Sequence, residues 1–184
     1  AAASTTLKRV GLELGGKAPA IIFDDADLDL AQRELTPGAL CMAGQICVAA
    51  ARFLVHKPIA KDFEARMKAA FAAVRVGPGS DPSSQMGSLI DLPNRTRIEA
   101  LISQAADEGE LVLRGTPQGS GAFITPSLFR IDDVNSSLVQ DELFGPIVSI
   151  ETFEDEAEAN DFSEFLRTQF ILPSDYPDSN QTIH

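Results

Sequence analysis

Hydrophobic residues follow two different spacings along the chain, and segments of the two kinds alternate. Short apolar runs, which are typical of buried strands, cover residues 17–23, 51–56, 110–115, 123–129 and 147–153. Apolar residues spaced three and four apart, which predict helices, cover residues 27–43, 59–74 and 98–106. Asp24 or Asp25 can cap the first helix, and Pro126 indicates an edge or an irregularity within its extended run.

Strands and helices that alternate in this way predict an α/β fold. Several of the predicted strands are apolar on both faces, which favours a three-layer arrangement with a mostly parallel sheet. Because ligands in such folds usually bind beyond the carboxyl ends of the strands, we expect a functional site at that edge. The 184 residues fit one domain of ordinary size with at most a small appendage.

The charge and hydropathy of the chain exclude some kinds of binding partner. The chain carries 15 Lys and Arg against 27 Asp and Glu, which gives a formal net charge of −12. Nothing in such a chain would neutralise phosphates, so we expect no nucleic-acid partner and no anionic membrane partner. No apolar run approaches the length that crosses a bilayer, and the first residues lack the pattern of a secretory signal.

The chain has two cysteines, Cys41 and Cys47, and two histidines, His56 and His184. Two cysteines do not make a disulfide scaffold, and the set lacks the companions of a zinc site, so we expect no metal. Free thiols fit a reducing cytoplasm. Cys41 lies within the predicted first helix, which indicates a core position.

Cys47 and Glu13 could carry chemistry. Cys47 follows Gly44 and the polar Gln45, so the backbone can turn sharply and its N–H groups could stabilise an oxyanion. On residue type alone, a free cysteine is more often an inert apolar residue. Glu13 lies between two leucines and could act as a general base. The alternative is an ion pair with Lys17, four residues further on.

A third segment, residues 142–146 with the sequence ELFGP, precedes the strand predicted from Ile147. Its residue types first indicate a turn into that strand. The functional alternative is that Glu142 accepts hydrogen bonds from ribose hydroxyls while Phe144 packs against a nicotinamide ring. Residue types alone favour the turn.

Three motifs occur in one order along the chain: LELGGK at 12–17, GQIC at 44–47 and ELFGP at 142–146. Together they resemble the signature of the NAD(P)-dependent aldehyde dehydrogenase superfamily, and the similarity extends over residues 7–159. The resemblance implies the Rossmann-like catalytic domain of that superfamily. It also implies NAD or NADP as cofactor, a small-molecule aldehyde as substrate and a homo-oligomer in the cytoplasm.

The resemblance assigns roles to individual residues. Cys47 resembles the nucleophile, and its backbone N–H would form half of the oxyanion hole. Glu13 resembles the base that activates water. The residues that resemble the family's nicotinamide-riboside contacts are Glu142, Phe144, Leu14 and Gly15.

The chain also departs from the family. Family members are much longer, and their cofactor domain lies mostly before the first motif. We therefore expect a truncated catalytic domain at 1–160 and a non-family, partly disordered tail at 161–184, in which Phe162, Phe165, Leu166 and Phe170 could form one or two helical turns. We expect little or no dehydrogenase activity from this chain alone. Two alternatives stay open, a non-catalytic or self-associating fragment and a cofactor-free thiol esterase.

Overall fold

The computed structural model describes residues 4–164. Its strands are β1 (Pro19–Ile22), β2 (Arg52–His56), β3 (Glu110–Leu113), β4 (Pro117–Gln118), β5 (Phe123–Ile124), β6 (Ser127–Arg130) and β7 (Ile147–Phe153). Its α-helices are α1 (Leu28–Leu40), α2 (Ala60–Ala72), α3 (Leu92–Ala105), α4 (Ser137–Gln140) and α5 (Glu156–Glu164). Short 3₁₀ turns cover Ser4–Thr6, Cys41–Gly44 and Lys57–Ile59.

The main sheet has five strands in the order β1-β2-β7-β6-β3. β1, β2, β7 and β6 run parallel to their neighbours, and β3 pairs antiparallel with β6. The predicted α/β fold with a mostly parallel sheet is therefore confirmed. Pro126 falls between β5 and β6, as its predicted irregularity requires.

A second sheet consists of β4 and β5 alone, paired antiparallel. Each of these strands has only two residues, which is too short to show an alternating pattern in the sequence.

Alternating side chains of β2 pack on opposite faces of the sheet. Phe53 and Val55 lie in the main core, while Leu54 packs with Phe153 and with Ala159 of α5. Because both faces of the strand are covered, its residues form a continuous apolar run. This packing gives the three layers that the sequence predicted.

A buried ion pair lies on the α5 side of the sheet. Arg52 donates to Glu151 from Nε over 2.9 Å and from Nη2 over 2.5 Å. The same Glu151 accepts from the Ser149 hydroxyl over 3.1 Å. Arg52 is also 3.4 Å from the backbone oxygen of Phe162, to which it donates, so the pair helps to attach α5. Two-point geometry of this kind makes removal of one partner strongly destabilising.

The first helix differs from its prediction at both ends. Asp27 is the N-cap, rather than Asp24 or Asp25, and its carboxylate accepts from the N–H groups of Asp29 and Leu30. The helix ends at Leu40, because the following residues leave the right-handed region. Cys41 is therefore exposed at the end of α1, and the predicted core position of Cys41 is wrong.

The proposed boundary at residue 160 falls inside α5 and stays a prediction. Phe162 lies in this helix and packs beside Leu54 and Phe153. Phe165, Leu166 and Phe170, together with the predicted partial disorder of the tail, lie outside the described residues.

Candidate active site

The three motifs each lead directly into a strand of the parallel part of the sheet. Residues 12–17 precede β1, residues 44–47 precede β2, and residues 142–146 end where β7 begins. Because β1, β2 and β7 are adjacent and parallel, their amino ends lie at the same edge. The three motifs therefore lie at the amino edge, opposite to the carboxyl edge where we expected a site, because that rule describes loops that follow strands rather than loops that precede them.

Glycines bring the first motif against the other two. A Cβ atom on Gly16 would lie 2.6 Å from the backbone oxygen of Cys47, and one on Gly15 would collide with the Glu142 carboxylate. Any side chain at Gly16 would push its segment away from the Cys47 backbone. At Gly15 the obstacle is the end of the exposed Glu142 side chain, which can turn away. The close approach of the first two motifs therefore depends on Gly16.

Gly44 makes the corresponding contact between the second and third motifs. Its φ angle is +72°, and an added Cβ would collide with the backbone oxygen of Gly145 and lie 3.0 Å from the nitrogen of Pro146. The position therefore requires glycine both for its backbone conformation and for the space around it. Cys47, which follows on this loop, is half-buried and has a free thiol.

The turn at residues 142–146 points two candidate side chains outward. Leu143 is buried beneath the turn, while Glu142 is exposed and Phe144 is 43% exposed. Phe144 has a φ angle of +51°, which residues with a Cβ rarely adopt. Gly145 packs directly against Ile98 of α3. The turn therefore presents a carboxylate beside Gly15 and, two residues further on, an exposed aromatic ring.

Glu13 lies in a different environment. Residues 5–15 are exposed throughout, and the flanking Leu12 and Leu14 are 72% and 63% exposed. The apolar neighbours predicted around this carboxylate do not enclose it. The alternative ion pair with Lys17 is absent as well, because Lys17 is buried and its Nζ has no hydrogen-bond partner within residues 4–164.

Lys17 is the residue that sequence reasoning missed. Burial lowers the pKa of its ammonium group to about 7, and the positive charge of Arg52 acts in the same direction. The carboxylates of Glu151, Asp141 and Glu142 oppose this shift more weakly. No signal in the sequence separates Lys17 from an ordinary surface lysine, because it is buried among residues of all three motifs, which meet only in the folded chain.

Lys17 lines a small cavity between the three motifs. The cavity has a volume of about 10 Å³, and its other walls include Gly16, Gly44, Glu142 and Gly145. A volume of this size holds about one water molecule. Lys17 therefore provides a hydrogen-bond donor at the point where the motifs meet.

Two searches of the described residues complete the description of the site. Within residues 4–164, His, Cys, Asp and Glu do not gather in any group of three or more that could hold a metal ion. No helix in the same part of the chain has both the length and the apolar character that crossing a membrane requires.

At its amino edge the mostly parallel sheet of this α/β domain carries a loop with a free thiol, a glycine pair and a turn with an exposed carboxylate and an aromatic ring. The chain belongs to the aldehyde dehydrogenase family, whose model matches residues 1–163. It is 38% identical over 159 residues to a succinate-semialdehyde dehydrogenase from Paenarthrobacter nicotinovorans, covering 85% of this chain and 35% of that protein.

Solved structures give the same assignment. Betaine aldehyde dehydrogenase from Staphylococcus aureus, in complex with NAD⁺, matches 88% of this chain with 35% identity and a TM-score of 0.81. An NAD⁺ complex of aldehyde dehydrogenase from Bacillus cereus also matches 88%, with 29% identity and a TM-score of 0.82. The chain covers 33% of each of these structures, so it spans about a third of the length of these relatives.

Proposed function

We propose that this chain supplies the catalytic-domain part of an enzyme that oxidises a small-molecule aldehyde to a carboxylic acid with NAD or NADP. The observation that carries the proposal is the meeting of the three motifs, with Gly16 against Cys47 and Gly15 against Glu142. Family membership supports the reaction type. The overall reaction converts an aldehyde, NAD(P)⁺ and water into a carboxylic acid, NAD(P)H and a proton.

In this proposal Cys47 is the nucleophile. Its thiolate forms a bond to the aldehyde carbon, and the carbonyl oxygen becomes an oxyanion that the backbone N–H of Cys47 can stabilise. A nicotinamide bound at this edge would supply the acceptor for the hydride that leaves this carbon. The carbon is then held to Cys47 as a thioester. Support comes from the half-buried, free thiol at the edge where the motifs meet.

Glu13 is the proposed general base for the second half of the reaction. Its carboxylate takes a proton from water, and the resulting hydroxide attacks the thioester carbon, which releases the carboxylic acid and the Cys47 thiolate. This role needs Glu13 close to the thioester. Because Glu13 is exposed in the described chain, we propose that additional protein is needed to hold it there.

The residues at this edge suit the nicotinamide end of a dinucleotide. The exposed Glu142 carboxylate can accept hydrogen bonds from ribose hydroxyls, and the exposed face of Phe144 can pack against a planar ring. A cofactor lying along Leu14 and Gly15 would pass directly beside the Glu142 carboxylate, which is next to Gly15. None of these contacts distinguishes NAD from NADP.

We further propose that the enzyme is a homo-oligomer of the cytoplasm. Several large apolar side chains are highly exposed, and such surface favours association. They include Leu7, Leu12, Leu14, Val48, Ile90 and Phe144. Size-exclusion chromatography of the chain tests the first point: a species larger than a monomer is expected, and a clean monomer would oppose it.

The nucleophile assignment can be tested without the cofactor. We expect p-nitrophenyl acetate to release nitrophenol from the chain in a single burst and to leave one acetyl group on Cys47, measured by mass spectrometry of peptides. Cys47→Ser should abolish the burst, and Cys41→Ser should leave it unchanged. Acetylation of the exposed Cys41 at the same rate as Cys47 would contradict the proposal.

A further inference from the structure

The loop at residues 42–47, here called the nucleophile loop, begins with an unusual backbone. Met42 and Ala43 have φ angles of +51° and +56°, and Gly44 follows at +72°. The first two residues have a Cβ, so this left-handed conformation persists only if other contacts hold it. Gln45 provides such contacts, because its Nε2 and its backbone N–H both donate to the Met42 oxygen, over 2.9 Å and 3.2 Å.

The turn at residues 142–146, here called the cofactor turn, is held in a similar way. Phe144 is also left-handed, with φ of +51°. Arg97 of α3 donates from Nη2 to the backbone oxygen of Leu143 over 2.7 Å and to that of Phe144 over 3.4 Å. A charged donor thus holds the strained turn.

Asn94 connects the contacts of the nucleophile loop with those of the cofactor turn. Its Oδ1 accepts from Arg97 Nε over 2.8 Å, and its Nδ2 donates to Gln45 Oε1 over 3.3 Å. The same Gln45 oxygen accepts from the backbone N–H of Ile90 over 3.0 Å. Asn94 and Arg97 are one turn apart on α3, which places both side chains on one face of the helix.

We propose that Asn94 and Arg97 are positioning residues that couple the cofactor turn to the nucleophile loop through Gln45. The hydrogen bonds run without interruption from the Leu143 oxygen through Arg97, Asn94 and Gln45 to the Met42 oxygen. A displacement of the turn is therefore transmitted to the loop that carries the thiol. The relevance of this coupling to catalysis rests on the proposed function, whereas the coupling itself rests on these contacts.

Arginine is required at position 97 because two of its nitrogens act in different directions. Nη2 reaches the cofactor turn while Nε reaches Asn94, and the planar guanidinium fixes the angle between them. A lysine has a single nitrogen and can hold the turn without holding Asn94. Arg97→Lys should therefore keep a hydrogen bond to the cofactor turn and lose the hydrogen bond to Asn94.

Amide hydrogen exchange of the isolated chain tests the coupling. Arg97→Ala should speed exchange about tenfold in both the nucleophile loop and the cofactor turn, which corresponds to loss of a hydrogen bond from a charged group. Asn94→Ala and Arg97→Lys should speed exchange in the loop and leave the turn close to wild type. Arg95→Ala is the matched control, since Arg95 lies on the same helix but donates to Gly119 and Gly121.

This pattern of exchange rates distinguishes a positioning role of Asn94 and Arg97 from a general contribution to the stability of α3. Loss of α3 stability would speed exchange in the helix, the loop and the turn together in every variant, and that result would overturn the proposal. An unchanged loop in Asn94→Ala and Arg97→Ala would also overturn it. The exchange measurement requires neither cofactor nor turnover. Failure of Cys47 acetylation would therefore refute the proposed function while leaving the coupling intact.

Discussion

The nucleophile loop and the segment that carries Glu13 both lead into a strand of the same sheet, yet different contacts surround them. In the loop, Cys47 contacts Gly16, Gly44 contacts Gly145, and the Gln45 side chain makes hydrogen bonds to Met42, Ile90 and Asn94. The Glu13 segment is exposed from residue 5 to residue 15. The difference teaches that contacts within the chain fix the Cys47 side of the candidate site and leave the Glu13 side open.

The exposed segment has the composition of a buried one. Leu7, Val10, Leu12 and Leu14 are all more than half exposed, although large apolar residues are usually buried. The chain spans about a third of the length of its relatives, and these side chains have no cover within the described residues. The following predictions test this contrast between the two regions.

Alanine substitution at two glycines, one in each region, should give the largest difference in the free energy of unfolding. Gly44→Ala places a Cβ at a φ of +72° and against the Gly145 oxygen, so it should lower the free energy of unfolding by about 2–4 kcal/mol. Gly11→Ala in the Glu13 segment meets no atom within 4 Å and should change it by less than about 0.5 kcal/mol. Urea unfolding measures both values. Equal losses at the two positions would show that both regions are packed alike.

Lys17 marks the boundary between the exposed segment and the packed edge. Its pKa falls from 10.5 to about 7 on folding, so between these two pH values the unfolded chain binds more protons than the folded chain. Stability should therefore rise with pH across this window, by up to about 1.4 kcal/mol per pH unit, and the contribution should be constant below pH 7.

Lys17→Met removes this titration. Urea unfolding between pH 7 and 10 should show a steeper rise for the wild-type chain than for the variant. Lys8→Met, in the exposed segment, is the matched control and should keep the wild-type slope. Identical slopes for the wild-type and Lys17→Met chains would mean that Lys17 is solvated. The exposed segment would then include Lys17.

The smallest expected effect is in the exposed segment itself. Leu12→Ser and Leu14→Ser remove apolar side chains that are already in solvent, so each should change the free energy of unfolding by less than about 0.5 kcal/mol. Leu143→Ser, in the buried part of the cofactor turn, is the contrasting variant and should cost about 2–4 kcal/mol. A loss above 1 kcal/mol at Leu12, on the order of one core contact, would contradict the exposed placement.

The sequence predicted those features that depend on local spacing. The apolar run of β2, the three-and-four spacing of α2 and the proline that separates β5 from β6 all appear where they were expected. The mostly parallel character of the sheet followed from the alternation of strands with helices. The motif residues could be named because their order along the chain resembles a family, not because their residue types required it.

Features that depend on tertiary contacts were not predictable. Lys17 is buried among residues of all three motifs, and no local pattern indicates that these distant segments meet. Cys41 was placed in the core because the left-handed residues that end the helix have ordinary helix-forming side chains. The amino-edge location could have been deduced, since all three motifs precede their strands.

The rate of thioester hydrolysis on Cys47 tests most directly whether the Glu13 side of the candidate site is open. After acetylation with p-nitrophenyl acetate, loss of the acetyl group from Cys47 is followed by mass spectrometry in the wild-type chain and in Glu13→Gln. We predict equal rates within about twofold, because an exposed Glu13 does not activate the attacking water. A positioned general base contributes about 10²–10⁴-fold. Slowing of that size in Glu13→Gln would contradict the account, because it would show that the chain alone holds Glu13 beside Cys47.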